Sequence, residues 1–538
     1  MNAALNLNGS TGVVFPSRSV PRRRRHFRFH CQKDATVRMG SSRVRTRIVN
    51  ASEAGVCVQV DRNQILEKGK KVTLDWTTLP QLNSAKAEHC VIDGTVIRSE
   101  ENGGHASKSY VIKFGRLVRD QQDLRRSRVI KMFAAIGVVS IAFTICVMKV
   151  HNFLYFWYDP WLQAYTIGAS AFVLSRVALS LRYKEPGDYG HFPTVSLIIA
   201  AKNEGAHIAK TVEHCFRANY PPDLMEIFAV DDGSTDDTWK EMEKLQTVYP
   251  LFKPIRLEKN MGKRHAMAVG AEKAHGDILV YVDSDSYIDP DSLYRLVQPF
   301  IDPAIGAVSG HVLAEVEEDN FISKMEAVRY FFSHRVMKAA ESVYGAVTCC
   351  PGAYSAYRRS AVMRILPAWL NQTFWGTSAT FGDDRSLTNF ILRDYQVIYH
   401  AGARCVTYVP RTLRQFFRQQ LRWKKSWSRE TTVAVRIMYK KHPIAALFYY
   451  LGVLLTLISP LIAFRAVVYI PLVATVSPLP YILGVLLVYL FQCLICLYYT
   501  QSKYWYYGLI FAGVYIFFLS FQNYYAMATI HKNHWGTR

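Results

Sequence analysis

Two regions of long apolar runs, at 129–181 and 442–528, flank a more polar segment, and this distribution limits the possible folds more than any other feature. A helix needs ~20 apolar residues to cross the roughly 30 Å hydrocarbon core of a bilayer. Inside that core each segment must satisfy its own backbone hydrogen bonds, which favours helices. The sequence therefore predicts a multidomain membrane protein, with helical spans on both sides of a folded domain.

The first apolar region, 129–182, predicts two spans, Val129–Val150 and Trp161–Leu181. Arginine and lysine residues flank the pair on its outer sides, which predicts that both flanks are cytoplasmic.

The second region, 442–538, predicts four spans and a basic tail. The apolar run His442–Ser477 is too long for one pass, so we expect a turn at Ser459-Pro460 to divide it. Spans over Leu479–Tyr499 and Tyr504–Ala528 then bring the total to about six. An even number of passes returns the basic tail to the cytoplasm, as positively charged segments prefer.

The net charge of +23 indicates an anionic partner: nucleic acid, acidic lipid or phosphorylated small molecules. The sequence shows no nucleic-acid-binding motif, so we expect a lipid bilayer and phosphorylated ligands but no nucleic acid. Residues 1–20 are typical of a disordered lead, and no cleavable signal is visible before the basic residues at 22–25. Residues 21–120 alternate apolar and polar side chains in short runs, which predicts a small antiparallel β-barrel in the cytoplasm.

The central segment, 190–410, predicts an α/β domain. The stretches TVSLIIAAKNE, EIFAVDDGS and DILVYVDSDS are buried strands that end in polar loops, and helical patterns lie between them. Strands that alternate with helices form mainly parallel sheets, which bind ligands at the carboxyl ends of their strands.

Acidic residues follow two of these strands. Asp283 and Asp285 would repel each other unless a cation lay between them, so a divalent metal bound to a diphosphate is one interpretation. Solvated carboxylates in a turn are the alternative. Asp231 and Asp232 could accept hydrogen bonds from a base N–H and ribose hydroxyls. Glu204 follows the first strand in the same way.

Three further groups are candidates, each with a simpler structural interpretation. Lys263 and Arg264 could hold phosphate oxygens, or could be a solvated helix start. Asp383 and Asp384 precede a predicted helix, where Asp384 could act as a general base or as a cap. The segment 411–441 contains RQQLRWKKSWSRE, which alone is typical of interfacial helices that anchor the chain at the bilayer surface.

The order of these motifs resembles the processive family 2 glycosyltransferases, which include cellulose, chitin and hyaluronan synthases. The resemblance covers about 194–538. The motif sequences are most similar to those of the hyaluronan and chitin branch in VDSDSYIDP, CCPGAYSAYRR, GDDRSLTN, QQLRWKKSWSRE and WGTR. It implies a GT-A domain, a UDP-sugar donor, Mg²⁺ or Mn²⁺, and one inverting displacement that lengthens a polysaccharide as it crosses the membrane.

The resemblance also implies roles for individual residues. Asp231 and Asp232 resemble the nucleotide-binding pair, and Asp283 and Asp285 resemble the metal-binding DxD. Asp384, after Asp383, resembles the catalytic base. The QxxRW motif, which binds the diphosphate and stacks beneath the acceptor, is matched by Gln419, Arg422 and Trp423. A loop that contacts the acceptor is matched by Cys350, Pro351 and Gly352. WGTR resembles a tail that folds back to the active site.

The N-terminal segment resembles a PilZ domain, the bacterial receptor for cyclic di-GMP. Arg24 and Arg28 fit RxxxR, and Asn50, Ser52 and Gly55 fit [D/N]xSxxG. Guanidinium groups can pair with phosphates and stack on guanine faces. An arginine-rich membrane anchor is the alternative interpretation.

Together these features predict a polysaccharide synthase of the bacterial inner membrane that cyclic di-GMP activates allosterically. Its PilZ and catalytic domains would be cytoplasmic, and export subunits in the periplasm or outer membrane are compatible with this role. A catalytically inactive cyclic-di-GMP receptor and a single-transfer lipid glycosyltransferase are the alternatives. The residues leave open whether the sugar is N-acetylglucosamine, with or without glucuronate, or belongs to a glucan or an alginate-like uronate.

Overall fold

A computed structural model describes most of the chain, in two compact units, Met1–Val129 and Ile130–Arg538. The described residues are 29–39, 42–52, 55–61, 66, 71–77, 89–101, 107–114, 121–155, 159–374, 376–378, 382–474 and 477–531. The predicted disordered lead and the WGTR tail lie outside these residues.

The first unit contains a closed six-stranded barrel, which confirms the predicted β-barrel. Its strands are β1 Phe29–Met39, β2 Ser42–Ser52, β3 Gly55–Asp61, β4 Lys71–Thr77, β5 His89–Glu101 and β6 Ser107–Phe114. They pair in the order β1-β2-β3-β6-β5-β4, and alternate side chains such as Val37, Val58 and Ile112 fill the interior.

The cyclic-di-GMP motif is only partly within the described residues. Ser52 at the end of β2 pairs with Gly55 at the start of β3, so this half of the motif is a strand connection. Arg24 and Arg28 lie outside the described residues, so their predicted role stays a prediction.

The second unit holds an eight-stranded mixed sheet. Its strands are β7 Val195–Ala201, β8 Met225–Asp231, β9 Phe252–Arg256, β10 Ile278–Asp283, β11 Ser286–Ile288, β12 Ile305–Ala314, β13 Tyr354–Arg358 and β16 Gln396–Thr407; β14 Thr373–Phe374 and β15 Thr377–Ser378 form a separate pair. The order is β11-β16-β12-β13-β10-β7-β8-β9. The half from β9 to β10 is parallel, and β13 then runs antiparallel to both of its neighbours.

Helices cover the two faces of this sheet and connect it to the apolar segments. They are α3 Ile208–Phe216, α4 Thr238–Val248, α5 Lys263–Lys273, α6 Ser292–Val297, α7 Phe321–Phe332, α8 Ala339–Ser342, α9 Arg359–Leu370, α10 Asp383–Leu392 and α11 Leu413–Met438. A π-helical turn, Ser333–Lys338, joins α7 to α8. The side chain of Thr412 caps α11, and Gln415 completes a reciprocal capping box.

The apolar helices are α1 Gln121–Tyr155, α2 Pro160–Arg182, α12 Pro443–Phe464, α13 Ile470–Ala474, α14 Leu479–Thr500, α15 Gly508–Val514 and α16 Ser520–Ala528. Within the described residues they form five segments long and apolar enough to cross a membrane: Ser127–Leu154, Pro160–Arg182, Pro443–Ala474, Leu479–Thr500 and Trp505–Ala528. This pattern supports a multi-pass membrane protein.

The prediction of six spans was wrong, because Pro443–Ala474 is one helical segment of 32 residues rather than two spans. Pro460 lies inside α12, where it removes one backbone donor without ending the helix. The carbonyl that loses its donor is that of Thr456, four residues earlier. Hydroxyls from other helices bond to the carbonyls on either side of it: Tyr165 to Leu455 at 3.4 Å and Tyr524 to Leu457 at 2.7 Å. The argument that an even number of passes returns the tail to the cytoplasm therefore no longer holds.

Gly270 provides a test of the close contact between α5 and β7. A Cβ at this position would lie 2.4 Å from Cγ2 of Ile198, a β-branched side chain with little rotational freedom. We expect Gly270→Ala to lower the free energy of unfolding by about 1–3 kcal/mol, measured as a fall in thermal midpoint. Gly484→Ala is the control, since no described atom lies within 4 Å of that Cβ. Equal thermal midpoints for the two variants would contradict the close contact between α5 and β7.

Candidate active site

The carboxyl ends of three adjacent strands form the base of the candidate site. Along the sheet, Asp231 in β8 is level with Ala201 in β7, and Asp283 in β10 is level with Ala200. Asp231 is fully buried, and its Oδ1 accepts a hydrogen bond from the Ser234 amide at 3.0 Å. The predicted nucleotide-binding and DxD motifs therefore lie at one edge, two strands apart.

Asp232 is held by the loop that leads into α5. Its two carboxylate oxygens accept hydrogen bonds from the Met261 amide at 2.7 Å and the Gly262 amide at 2.9 Å. Burial raises the pKa of Asp232, and these two amides and Lys202 act in the opposite direction. Glu204 lies in the loop after β7, where its amide donates to Thr238 Oγ1 at 2.8 Å.

Lys263 brings the separate acidic motifs to one place. Its ammonium forms an ion pair with Asp283. Burial alone would lower the pKa of Lys263, but Asp283, Asp383 and Asp384 outweigh it and raise that pKa. A Cβ on Gly352 would lie 3.2 Å from Lys263 Nζ and 3.4 Å from Asp283 Oδ1. The predicted acceptor loop thus closes directly over the lysine and the DxD motif.

Arg264, the next residue, faces inwards. Its Nε donates to Asp383 Oδ1 at 2.8 Å, and another nitrogen donates to the Trp369 carbonyl at 3.0 Å. Both partners of the ion pair are buried, so the pair joins the start of α5 to the start of α10. The predicted phosphate contact of Arg264 stays a prediction.

Asp384 lies beside the acceptor loop. Its Oδ1 accepts a hydrogen bond from the Arg385 amide at 2.8 Å, and the Cys349 thiol lies 3.8 Å from its Oδ2. Burial, then Asp384, raises the pKa of Cys349, which favours the neutral thiol. The Cys350 amide donates to Thr388 Oγ1 at 2.9 Å, which fixes the loop to α10. A carboxylate here could take a proton from a hydroxyl bound at the loop.

The tryptophan of QxxRW lies on an aromatic and cationic surface contributed by α7. Trp423 is 36% exposed, with its ring centroid 6.3 Å from that of Tyr330 and 5.0 Å from the Arg329 guanidinium carbon. Burial raises the pKa of Tyr330, Asp283 raises it further, and Arg422 lowers it. Tyr330 therefore brings α7 against the tryptophan of QxxRW.

Sequence reasoning missed the part played by α7 and the π-helical turn. Lys338, in that turn, donates a hydrogen bond to the Cys349 carbonyl, so the helix that supports Trp423 also holds the acceptor loop. Asn320 ahead of an apolar helical pattern is the signal that could have located this helix, and its side chain does cap α7. Of the QxxRW residues, Gln419 has a buried Oε1 with no hydrogen-bond partner among the described residues.

The helix that carries QxxRW is fastened to the last apolar segment. Lys424 donates to the Leu519 carbonyl in the π-helical turn Tyr515–Leu519, and Gln522 Nε2 donates to the Phe417 carbonyl at 2.9 Å. Burial lowers the pKa of Lys424 to about 7. Trp423 therefore lies between the catalytic domain and the candidate spans.

The donor atoms present fit a divalent cation shared with a diphosphate. Asp283 and Asp285 offer carboxylate oxygens, which hard cations prefer, and the Lys263 ammonium shows that a positive charge is accommodated beside Asp283. Among the described residues, no group of three or more His, Cys, Asp or Glu side chains could hold a metal. Ligand oxygens would have to complete its coordination.

Gly382 tests the junction between α10 and α11. It has φ +77°, and a Cβ there would overlap Ser426 of α11, with only 1.9 Å to its Oγ. Gly376 has the same φ, but no described atom lies within 4 Å of a Cβ added there. We expect Gly376→Ala to cost only about 1–2 kcal/mol of backbone strain. Gly382→Ala should cost about 1–3 kcal/mol more and abolish sugar transfer, because α10 must move away from α11.

Thermal midpoints and nucleotide release from a sugar donor measure both effects. Equal losses in the two variants would mean that backbone strain alone acts, and that the contact between α10 and α11 does not matter.

Comparison with known proteins agrees with this geometry. Residues 196–366 match the family described as Glycosyl transferase family 2, and residues 22–130 match the PilZ domain. A hyaluronan synthase of Streptococcus pyogenes is 32% identical over 317 residues, covering 58% of this chain and 75% of that protein. An N-acetylglucosaminyltransferase of Rhizobium meliloti (strain 1021) is 33% identical over 266 residues, covering 49% of this chain and 62% of that relative.

Among solved structures, a mannosyltransferase from Pyrobaculum calidifontis in complex with GDP-Man and Mn²⁺ superposes with a TM-score of 0.47 at 23% identity. The superposition covers 71% of this chain and 99% of the mannosyltransferase chain. The sequence matches confirm both resemblances found in the motifs. The chain belongs to glycosyltransferase family 2, as a processive polysaccharide synthase with a PilZ domain and a nucleotide-sugar donor.

Proposed function

We propose that this protein joins sugars from a UDP donor into an exopolysaccharide, passes the polymer across the bacterial inner membrane, and is activated by cyclic di-GMP. One arrangement supports the catalytic part. Lys263 pairs with Asp283 beside Gly352 of the predicted acceptor loop, and the next residue, Arg264, bonds to Asp383, which precedes Asp384. Separate motifs for donor, base and acceptor therefore share one site. The PilZ and catalytic domains would be cytoplasmic, because the UDP-sugar and the dinucleotide are cytoplasmic ligands.

In the proposed reaction, Asp231 and Asp232 bind the nucleoside while Asp283 and Asp285 face the diphosphate. Mg²⁺ or Mn²⁺ held there would neutralise charge on the diphosphate. Lys263 and Arg422 add positive charge, which stabilises the leaving group as the sugar–oxygen bond breaks. Glu204 and Gln419 complete the proposed donor contacts, and Arg264 holds Asp383 through their buried ion pair.

Asp384 is the proposed base. It takes the proton from the acceptor hydroxyl as that oxygen forms a bond to the anomeric carbon and the bond from that carbon to the diphosphate breaks. One displacement inverts the anomeric centre without a covalent intermediate. The loop residues Cys350, Pro351 and Gly352 would position the acceptor, with Trp423 beneath its ring.

The position of Trp423 also supports the proposed translocation. Its helix, α11, is bonded on one side to the last candidate span through Lys424. On its other side, Trp423 contacts α7, which reaches the acceptor loop through Lys338. A chain lengthened at this point would emerge next to the apolar helices. Export subunits outside the inner membrane are compatible with this arrangement.

Asp384→Asn tests the catalytic proposal. We expect UDP release and polymer synthesis to fall by at least about 100-fold, because the amide cannot accept the hydroxyl proton. Asp394→Asn is the matched control just beyond the C-terminal end of the same helix, where Asp394 forms an exposed ion pair with Arg364 at 2.9 Å. Both variants are assayed with UDP-N-acetylglucosamine, UDP-glucuronate, both together, and UDP-glucose.

An Asp384→Asn enzyme as active as the control would reject Asp384 as the base. Wild-type protein that releases no UDP would favour an inactive receptor. Products limited to one added sugar would favour a lipid glycosyltransferase.

The regulatory proposal is tested in the full chain with Arg24→Ala plus Arg28→Ala. We expect synthesis by this variant no longer to rise when cyclic di-GMP is added, because the guanidinium groups that pair with its phosphates are gone. The matched control is Arg22→Ala plus Arg23→Ala, which removes equal charge from the same arginine run. Isothermal titration with cyclic di-GMP and polymer yield are the two measurements. A variant that still responds would contradict the proposal, and equal loss in the control would favour a general basic anchor.

A further inference from the structure

Arg176 is a buried cation inside the second candidate span. It lies in α2 and is only 5% exposed, and its Nε has no hydrogen-bond partner among the described residues. The rings of Phe172 and Phe448 lie at 5.1 Å and 4.3 Å from its guanidinium carbon. Ionisable side chains within membrane helices are costly and usually serve a ligand or an ion. The two rings orient the group, but they do not accept the hydrogen bonds that its N–H groups can donate.

A cavity of about 200 Å³ opens beside this guanidinium, between α2, α8, α11 and α12. Its polar and aromatic lining includes Arg176, Glu341, Thr348, Arg385, Trp427 and Tyr449. The volume exceeds the ~150 Å³ that accommodates a benzene ring in an engineered cavity. One sugar ring is therefore a ligand of suitable size, and Trp427 and Tyr449 provide aromatic faces for it.

This cavity adjoins the acceptor end of the candidate active site. Thr348 immediately precedes the cysteines of the acceptor loop, and Arg385 immediately follows the proposed base Asp384. On its far side the cavity reaches Thr456, well inside α12. A polymer leaving the active site towards the spans could therefore place one of its units here.

The charge of the lining favours an anion. Two guanidinium groups and one carboxylate face the cavity, an excess of one positive charge. The Glu341 carboxylate accepts hydrogen bonds from Thr348, 3.0 Å from its amide and 3.4 Å from its Oγ1, rather than from either arginine. In the described part of the chain neither Arg176 nor Arg385 donates a side-chain hydrogen bond, so the guanidinium N–H groups of both residues remain available to a ligand.

We propose that this cavity is a subsite for a carboxylate-bearing sugar unit of the growing chain, so that the polymer is acidic, and that Arg176 recognises the carboxylate. The inference rests on the proposed polysaccharide synthesis and narrows its substrate class to a uronate. A planar guanidinium can donate two parallel hydrogen bonds to a carboxylate, and burial excludes the water that would compete. A neutral sugar would leave the cation uncompensated.

The test begins with the polymer that the full-length protein makes in lipid nanodiscs. The donors are UDP-N-acetylglucosamine, UDP-glucose, UDP-glucuronate and UDP-galacturonate, singly and in pairs, with cyclic di-GMP. We expect polymer only when a UDP-uronate is present, and uronate in the hydrolysed product. A neutral polymer made equally well without any uronate would overturn the inference and leave the proposed synthesis intact. Absence of transfer from every donor would reject the proposed function, and this inference with it.

The residue is tested with Arg176→Met, which keeps an unbranched side chain and removes the donors. We expect polymers at least about tenfold shorter. Arg176→Lys should give polymers of intermediate length, because a lysine keeps the charge but not the two parallel N–H donors. Arg182→Met, at the exposed end of the same helix, is the matched control and should leave length unchanged. Product of wild-type length from Arg176→Met would overturn the assignment.

A binding measurement on the wild-type protein does not depend on how the variants fold. Oligosaccharides cut from its own product are compared with the same oligosaccharides after chemical reduction of their carboxyl groups to alcohols. We expect the native form to bind about tenfold or more tightly, because only it carries the carboxylate. Equal binding of the two forms would overturn the inference.

Discussion

The Lys263 ammonium is the positive charge on which the rest of the candidate site depends. Carboxylates from two distant parts of the sequence, Asp283 and the pair Asp383 and Asp384, would repel one another at close range without it. It also lies 3.2 Å from the position of a Cβ on Gly352, so a larger residue there would crowd the ion pair. The acceptor loop can approach the DxD motif because glycine leaves room for the lysine.

Close side-chain contacts also connect the sheet to the membrane helices. Arg264 joins α5 to Asp383 at the start of α10, and Gly382 allows α10 to pack closely against Ser426 on α11. Lys424 on α11 then bonds to the last apolar segment. A chain of short contacts therefore connects the strand ends to the candidate spans, so the proposed transfer and translocation would depend on the same elements.

Local patterns in the sequence were sufficient for much of this architecture. Strands β7, β8 and β10 are continuous apolar runs that end in polar loops, so both the strands and the acidic residues at their ends can be predicted. Strand β1 is harder to predict, because FHCQKDATVRM contains few apolar residues and its place depends on pairing with β2 and β4. The division at Pro460 was wrong because a proline removes one backbone donor from a helix without having to end it, and α12 continues through this position.

The candidate site also depends on contacts between distant parts of the sequence, which local patterns do not reveal. Motif spacing singled out Asp283, Asp384 and Trp423 as candidates, but the packing around them involves Lys338, Tyr330 and Gly382. These residues have no motif of their own, and their importance lies in packing between segments that are distant along the chain. The assignment of both Lys263 and Arg264 as phosphate ligands also treats two neighbours alike, whereas successive helix residues point in different directions. Lys263 faces the carboxylates at the strand ends, and Arg264 faces the interior.

The buried cations of the second unit show how its charges are compensated. Arg264 is paired with Asp383 at 2.8 Å, and Arg429 with Glu430 at 2.9 Å. Each pair limits the cost of removing a charge from water, and removing one partner would leave the other uncompensated. Among the described residues no carboxylate bonds to Arg176, although Glu341 lines the same cavity. Because Glu341 is bound to Thr348 instead, the missing compensation must come from water or from a ligand in the adjoining cavity. Of these two, only a ligand anion brings the negative charge that balances the excess.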